Sequence, residues 1–185
     1  DASAWGELPP AYPWWPDPAM PYAPLEEKAR AAWCREALEI AARGLACRMA
    51  RIGARGVSLG LSGGLDSAMA LMTALRAFEI NGLDKSGLFA VSLPAFGTSA
   101  KTRGNAGALL RACGLRQREI DLTASLTQHL QDIGHPEGRH DAAFENAQAR
   151  ERTQVLMDIA NQIGGLMVGP GDMSELALGF TTYGG

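Results

Sequence analysis

Val57-Ser58-Leu59-Gly60-Leu61, followed at once by Ser62-Gly63-Gly64-Leu65-Asp66-Ser67, is the stretch on which the reading of this chain turns. Three apolar residues, Val57, Leu59 and Leu61, alternating with the small Ser58 and Gly60, read as a short buried strand. The glycine pair then forces a turn, and the apolar run 68–80, rich in helix formers, reads as a helix that stops at Asn81-Gly82. A strand, a tight glycine turn and a helix in immediate succession form the first half of a βαβ unit.

The same scheme recurs downstream. Residues 88–93 read as a second strand broken by Pro94, and 99–113 as a helix ended by Gly114. Residues 117–122 read as a third strand, and 123–133 as a weaker helix leading into the loop around Pro136. A long helix over 142–163 ends at Gly164-Gly165, a fourth strand spans 166–169, and another helix opens over 174–180. Upstream, apolar residues recurring every three to five positions from Leu25 to Ile52 predict a long helix, ended by Gly53 and Gly56. Strands alternating with helices imply a doubly wound parallel sheet covered on both faces, a three-layer α/β/α architecture. Seven of the ten prolines and three of the four tryptophans (Trp5, Trp14, Trp15) fall in residues 1–24. Proline at that density excludes a helix or central strand, so 1–24 is expected to be an extended arm. Its aromatics are expected to pack on a neighbouring domain or on the domain's own surface. Residues 25–185 are expected to form the functional domain.

Composition limits the function classes. With 17 basic and 20 acidic residues among 185, the formal charge is −3, which argues against a general nucleic-acid binder. No run of about 18 uninterrupted apolar residues suggests a membrane span. The first residues lack the pattern of a secretory leader, and the chain reads as an excised piece of a longer, cytoplasmic one. Cys34, Cys47 and Cys113 are odd in number and unpaired by spacing, and are expected to be buried thiols. His129, His135 and His140 do not make a metal-ligand pattern.

Chemistry is expected at the glycine turn. In an open parallel sheet, ligands bind beyond the carboxyl ends of the strands, where the strand order reverses. Gly63 and Gly64 let a ligand approach the backbone closely. The N–H groups of the turn and of the next helix's first turn are donors that favour an anion, and Ser62 and Ser67 add hydroxyls. Asp66 admits two readings. Beside a bound phosphate it would be repelled unless Mg²⁺ lay between them, or it is simply an acid favoured at a helix N-terminus. The chain has neither the Gly-x-x-x-x-Gly-Lys loop nor the Gly-x-Gly-x-x-Gly fingerprint, and its lysines are Lys28, Lys85 and Lys101.

Ser62-Gly63-Gly64-Leu65-Asp66-Ser67 resembles the PP-loop of the ATP pyrophosphatases, which cleave ATP between its α and β phosphates. Three further stretches narrow the resemblance to the synthetase domain of glutamine-dependent NAD⁺ synthetases, with an adenine nucleotide α-hydrolase-like fold. They are Leu93-Pro94-Ala95-Phe96-Gly97-Thr98, then Phe144-Glu145-Asn146-Ala147-Gln148-Ala149-Arg150, and lastly the run from Gly171-Asp172-Met173-Ser174-Glu175 through Leu176-Ala177-Leu178-Gly179-Phe180-Thr181-Thr182-Tyr183. The resemblance covers residues 25–185.

It implies an ATP-dependent amidation of deamido-NAD⁺ through an adenylate, releasing pyrophosphate and AMP, with ammonia derived from glutamine. It implies ATP and Mg²⁺, with Gly60, Leu61, Ser62, Gly63, Gly64, Leu65, Asp66, Ser67 and Leu93 around ATP. Ser62, Asp66 and Ser67 would act in catalysis, and Asp66 and Glu175 would hold the metal. Asn146, Arg150, Glu175, Phe180, Thr181, Thr182 and Tyr183 would meet deamido-NAD⁺. Without the resemblance, Arg150 reads as a solvated helix charge among Glu151 and Arg152, and Glu175 as a first-turn acid. The resemblance also implies a homo-oligomer, further substrate-binding residues beyond Gly185, and an N-terminal nitrilase-like glutaminase domain that these residues do not contain. The arm 1–24 would be the linker to it. One position departs: Pro170 stands where the family has an ATP-contacting threonine, and proline offers neither hydroxyl nor N–H. Two alternatives remain open, another PP-loop ligase or amidotransferase, and a nucleotide-binding module without catalysis.

Overall fold

A computed structural model describes residues 23–97 and 100–179, with the side chains of 100–103 left aside. Residues 1–40 and 41–185 form two compact units, and each is treated by itself. The element order is α1 (Glu27–Ile52), β1 (Val57–Gly60), α2 (Leu65–Ile80), a 3₁₀ turn (Lys85–Gly87), β2 (Leu88–Ser92), α3 (Ala100–Ala112), β3 (Arg118–Glu119), α4 (Thr123–Asp132), α5 (Ala142–Gln162), β4 (Leu166–Met167) and α6 (Met173–Leu178). The strands form one parallel sheet in the order β3-β2-β1-β4, so the chain steps outward on one side of β1 and then crosses to its other side. The reversal of order falls between β1 and β4.

Alternation along the strands sends side chains to two separate cores. Val57, Leu59 and Leu61, with Leu88 and Ala90, pack with Ala46 and Met49 of α1, Leu71, Ala74 and Phe78 of α2, and Ala106 and Leu110 of α3. Val91 and Leu93 pack instead with Leu126 and Leu130 of α4 and with Phe144, Ala147 and Leu156 of α5. Each fully buried leucine contributes about 2 kcal/mol of transfer free energy. Helices therefore cover both faces of the sheet, as the alternation in sequence implies. Within residues 41–52 the buried side chains are Ala42, Ala46 and Met49, whereas Ile52 is exposed. Small residues let that helix lie close, which an apolar-periodicity reading centred on the larger side chains passes over.

The third and fourth strands are shorter than the sequence implies. Their pairing nonetheless continues past the regular residues: Ile120 N–H donates to Ser92 O at 3.0 Å, Leu122 N–H to Pro94 O at 2.9 Å, and Val168 N–H to Ser58 O at 2.9 Å. Pro94 has no N–H to return, so the ladder there runs one way and regular strand geometry lapses. Helix α2 begins at Leu65 rather than at residue 68, which places Asp66 and Ser67 inside its first turn. The cysteine expectation is corrected. Cys34 and Cys47 are exposed and Cys113 is half-buried; within residues 41–52 the buried stripe is Ala42, Ala46 and Met49, which leaves Cys47 outside it. The arm 1–24, apart from its last two positions, lies outside the described residues.

Helix α5 lies over β1 and is fixed to it by a buried hydroxyl. Ser58, fully buried, donates from Oγ to Leu156 O at 2.6 Å. A Cβ at Gly60 would stand 3.0 Å from Leu156 Cδ1, so glycine admits this close approach. The helix starts at Asp141, whose Oδ1 accepts from Ala143 N–H and Phe144 N–H. His135 Nε2 donates to the same oxygen at 3.0 Å, and Arg139 Nε lies 2.9 Å from Oδ2. The hydrogen bond from His135, then that from Phe144 N–H, holds the Asp141 carboxyl below its ordinary value of 3.8. A carboxylate depressed in the folded state stabilises fully above the unfolded pKa and loses that contribution as pH falls through the folded one. The gap in thermal midpoint between the wild type and Asp141→Asn is therefore expected to be widest above the ordinary carboxylate range, at about pH 5 and higher, and to narrow as pH falls through the depressed Asp141 pKa. A gap that stayed constant across that window would remove the carboxylate charge from the account of this cap.

Candidate functional site

The carboxyl edge of β1 carries the glycine turn at the point where the strand order reverses. Leu61 N–H still pairs with Val91 O at 2.8 Å, so the turn leaves directly from the sheet. Gly63 has φ +84°, a left-handed conformation that side chains other than glycine's rarely adopt. Gly64 is the N-cap of α2 and offers no side chain to its free N–H groups. On α5 and α6, by contrast, the side chains of Asp141 and Asp172 accept from the first turn. The first turn of α2 thus presents backbone donors and the positive end of a helix dipole at the sheet edge.

The two serines hold this turn in shape. Ser67 is buried, and its Oγ donates to Gly64 O at 3.1 Å while accepting from Ser62 N–H at 3.3 Å. Ser62 Oγ lies 3.1 Å from Ser67 Oγ and accepts from Gly64 N–H at 3.2 Å. Ser67 spends its hydroxyl inside the loop, whereas Ser62 is exposed at its rim. Leu65 and Asp66 are also exposed. The Asp66 carboxylate accepts no hydrogen bond among the described residues.

The neighbouring strand brings the second acid to the same edge. β4 pairs with β1 in parallel, Ser58 beside Met167, so the segment leaving β4 emerges alongside the glycine turn. That segment runs through exposed Pro170 into α6, whose capping box joins Asp172 and Glu175: Glu175 N–H donates to Asp172 Oδ1 at 2.7 Å, and Asp172 N–H to Glu175 Oε2 at 3.1 Å. One carboxylate oxygen of Glu175 remains outside the box. The Asp66 and Glu175 carboxylates are both exposed, in the first turns of helices that follow adjacent strands, and carboxylate oxygens are the ligand type Mg²⁺ takes; among the described residues no group of three or more such side chains is gathered. Phe180, Thr181, Thr182 and Tyr183 lie outside the described residues.

Asn146 and Arg150 are exposed, one turn apart on α5. Leu156 lies against β1, and the helix runs from the carboxyl edge of the sheet back toward β4. Asn146 and Arg150 are therefore near the edge that holds the glycine turn. Leu93 is buried just past β2, and its carbonyl accepts from Arg152 Nε at 3.3 Å. Arg152 itself is partly buried rather than solvated, a contact that the alternating charges 150–152 conceal in the sequence.

A sequence profile described as NAD synthase matches residues 38–185. The chain belongs to the NAD synthase family. It is 42% identical over 169 residues to the glutamine-dependent NAD(+) synthetase of Mycobacterium leprae, covering 89% of this chain and 25% of that protein. It is 30% identical over 136 residues to the NH(3)-dependent NAD(+) synthetase of Methanosarcina mazei, covering 72% of this chain and 51% of that one. Among solved structures, the glutamine-dependent NAD+ synthetase of Acinetobacter baumannii in complex with ADP superposes with a TM-score of 0.70 at 31% identity, over 78% of this chain and 27% of that chain. The chain spans about a quarter of the length of its glutamine-dependent relatives. NAD synthase membership fits the parallel sheet and the glycine turn at its reversal point. Among the described residues no helix is long and apolar enough to cross a membrane.

Proposed function

We propose that this domain carries out the synthetase reaction, the ATP-dependent amidation of deamido-NAD⁺ to NAD⁺. One observation carries the reading: the uncapped first turn of α2, with its left-handed Gly63, stands at the sheet reversal beside the strand that leads to Glu175. That the Acinetobacter relative was solved in complex with ADP supports nucleotide binding by this domain.

A nicotinate carboxylate is a poor acceptor of ammonia until it is activated. Its oxygen attacks the α-phosphorus of ATP; a C–O–P linkage forms, the bond to the β-phosphate oxygen breaks, and pyrophosphate leaves with that electron pair. The nitrogen of ammonia then attacks the acyl carbon, AMP leaves with the electron pair of the C–O bond, and the nitrogen loses a proton to give the amide. The backbone donors from Gly63 through Ser67 hold the phosphate tail, with Gly60, Leu61 and Leu93 bordering the nucleotide. Ser62 donates its exposed hydroxyl, and Ser67 keeps the loop closed around that geometry. Asn146 and Arg150 hold deamido-NAD⁺, together with Glu175 and the segment Phe180, Thr181, Thr182 and Tyr183. Asp66 and Glu175 would hold Mg²⁺, which supplies charge neutralisation on the phosphates when bound. Orientation of the two anions is the rest of the task.

The same reading makes residues 25–185 the synthetase domain and 1–24 a linker to a glutaminase domain that delivers ammonia. It takes the enzyme to be a cytoplasmic homo-oligomer, with no nucleic-acid or membrane partner. The NH(3)-dependent Methanosarcina relative supports the use of free ammonia at such a site. The test is to supply the protein with ATP, Mg²⁺, deamido-NAD⁺ and ammonium, and to measure NAD⁺, AMP and pyrophosphate. Equal yields of all three are expected. Pyrophosphate release with a different carboxylate acceptor only would point to another PP-loop ligase, and ATP binding without AMP to an inert module.

A further inference from the structure

Arg152 stands in a run of alternating charges, 150–152, that in sequence looks like a solvated helix surface, and its environment differs. It is partly buried on α5, and burial pulls its guanidinium below the ordinary arginine range, an effect that the Glu145 carboxylate two turns earlier offsets only in part. Glu145 makes no ion pair with it. Nε donates to Leu93 O at 3.3 Å, and among the described residues neither terminal nitrogen has a hydrogen-bond or ion-pair partner. A partly desolvated cation with most of its donors unused is costly unless an anion accompanies it.

Its position says which anion. Register pairs Gly60 with Val91, and extending it by two residues sets Ser62 level with Leu93 on the adjacent strand. Neighbouring strands lie about 4.8 Å apart. The carbonyl that anchors Arg152 is thus one strand away from the glycine turn. No lysine lies in or beside that turn in sequence.

We propose that Arg152 binds a phosphate oxyanion at the carboxyl edge of β1 and β2, its Nε fixed by Leu93 O and its terminal nitrogens donating to the anion. The inference rests on the synthetase reading and adds to it a guanidinium for the phosphate tail and the departing pyrophosphate. The planar fork suits two phosphate oxygens at once. Inorganic pyrophosphate, titrated calorimetrically in the presence of Mg²⁺, is the probe. Arg152→Gln is expected to weaken its binding roughly tenfold or more, and Arg152→Lys, which keeps the charge, to recover most of the loss. Wild-type affinity in Arg152→Gln would overturn the proposal, and so would a Lys variant no better than Gln. Should the Gln variant not fold, the wild-type protein decides. The Arg152 guanidinium ¹⁵N resonances are expected to shift on adding pyrophosphate, and unmoved resonances at saturation would overturn the assignment. If wild-type protein binds neither pyrophosphate nor ATP, the synthetase reading itself fails, an outcome distinct from the failure of Arg152 alone.

Discussion

Asp66→Ala is expected to lower the rate of AMP formation from ATP, deamido-NAD⁺ and ammonium by roughly 10³-fold, the scale of several kcal/mol of transition-state charge stabilisation. The fold is expected to survive unchanged, because Asp66 is exposed and none of the hydrogen bonds that shape the turn use its carboxylate. The two readings of Asp66 differ by orders of magnitude. A helix N-terminal acid acting on the dipole alone contributes about 0.3 to 1 kcal/mol of stability and has no claim on turnover. A metal-holding acid leaves stability alone and removes catalysis. Rate and thermal midpoint measured on one preparation separate them, and full turnover in the alanine variant would remove the metal assignment.

Gly165→Ala is expected to destabilise the protein by about 3 kcal/mol, a fall in thermal midpoint of roughly 6 to 12 °C. A Cβ there would overlap the carbonyl of Gly56, a backbone atom that cannot swing aside, and would come within 3.0 Å of Ile163 Cγ1. The same carbonyl accepts from Leu166 N–H at 3.1 Å, so relieving the overlap breaks the contact that starts the pairing of β4 with β1. Gly164→Ala is the control. Gly164 has φ +58° but nothing within 4 Å of its Cβ position, so only backbone strain of about 1 kcal/mol is expected. Equal losses in the two variants would contradict a sheet closed by glycine contact. Because β4 leads to Glu175, Gly165→Ala is also expected to weaken nucleotide binding.

Much of this was legible in the sequence because the local signals agree with one another. The run from Val57 to Ser67 combines strand composition, paired glycines and an immediate helix, and the structure forms a strand, a turn and a helix there. Gly114 ends α3 with φ +68°, as a glycine after an apolar run suggests. The signals failed where the deciding partner is distant along the chain. Nothing local marks Ser58 as the hydroxyl that binds Leu156, 98 residues away. Likewise Arg152 sits among alternating charges that read as a solvated surface, and only the carbonyl of Leu93 reveals otherwise. Cys47 differs from its reading as a buried thiol for the same reason: helical periodicity says that one stripe is buried, but which stripe is set by the partners of Ala46 and Met49. The regular strand β3 is short because its neighbour Pro94, past the end of β2, has no N–H to continue the ladder.

The most direct test of the glycine turn as the phosphate site is an amide ¹H–¹⁵N titration of the protein with ATP and Mg²⁺. The largest shifts are expected at Gly63, Gly64, Leu65, Asp66 and Ser67, with smaller ones where α6 begins at Met173. Saturable ATP binding that leaves those amides unmoved while resonances elsewhere shift would contradict it.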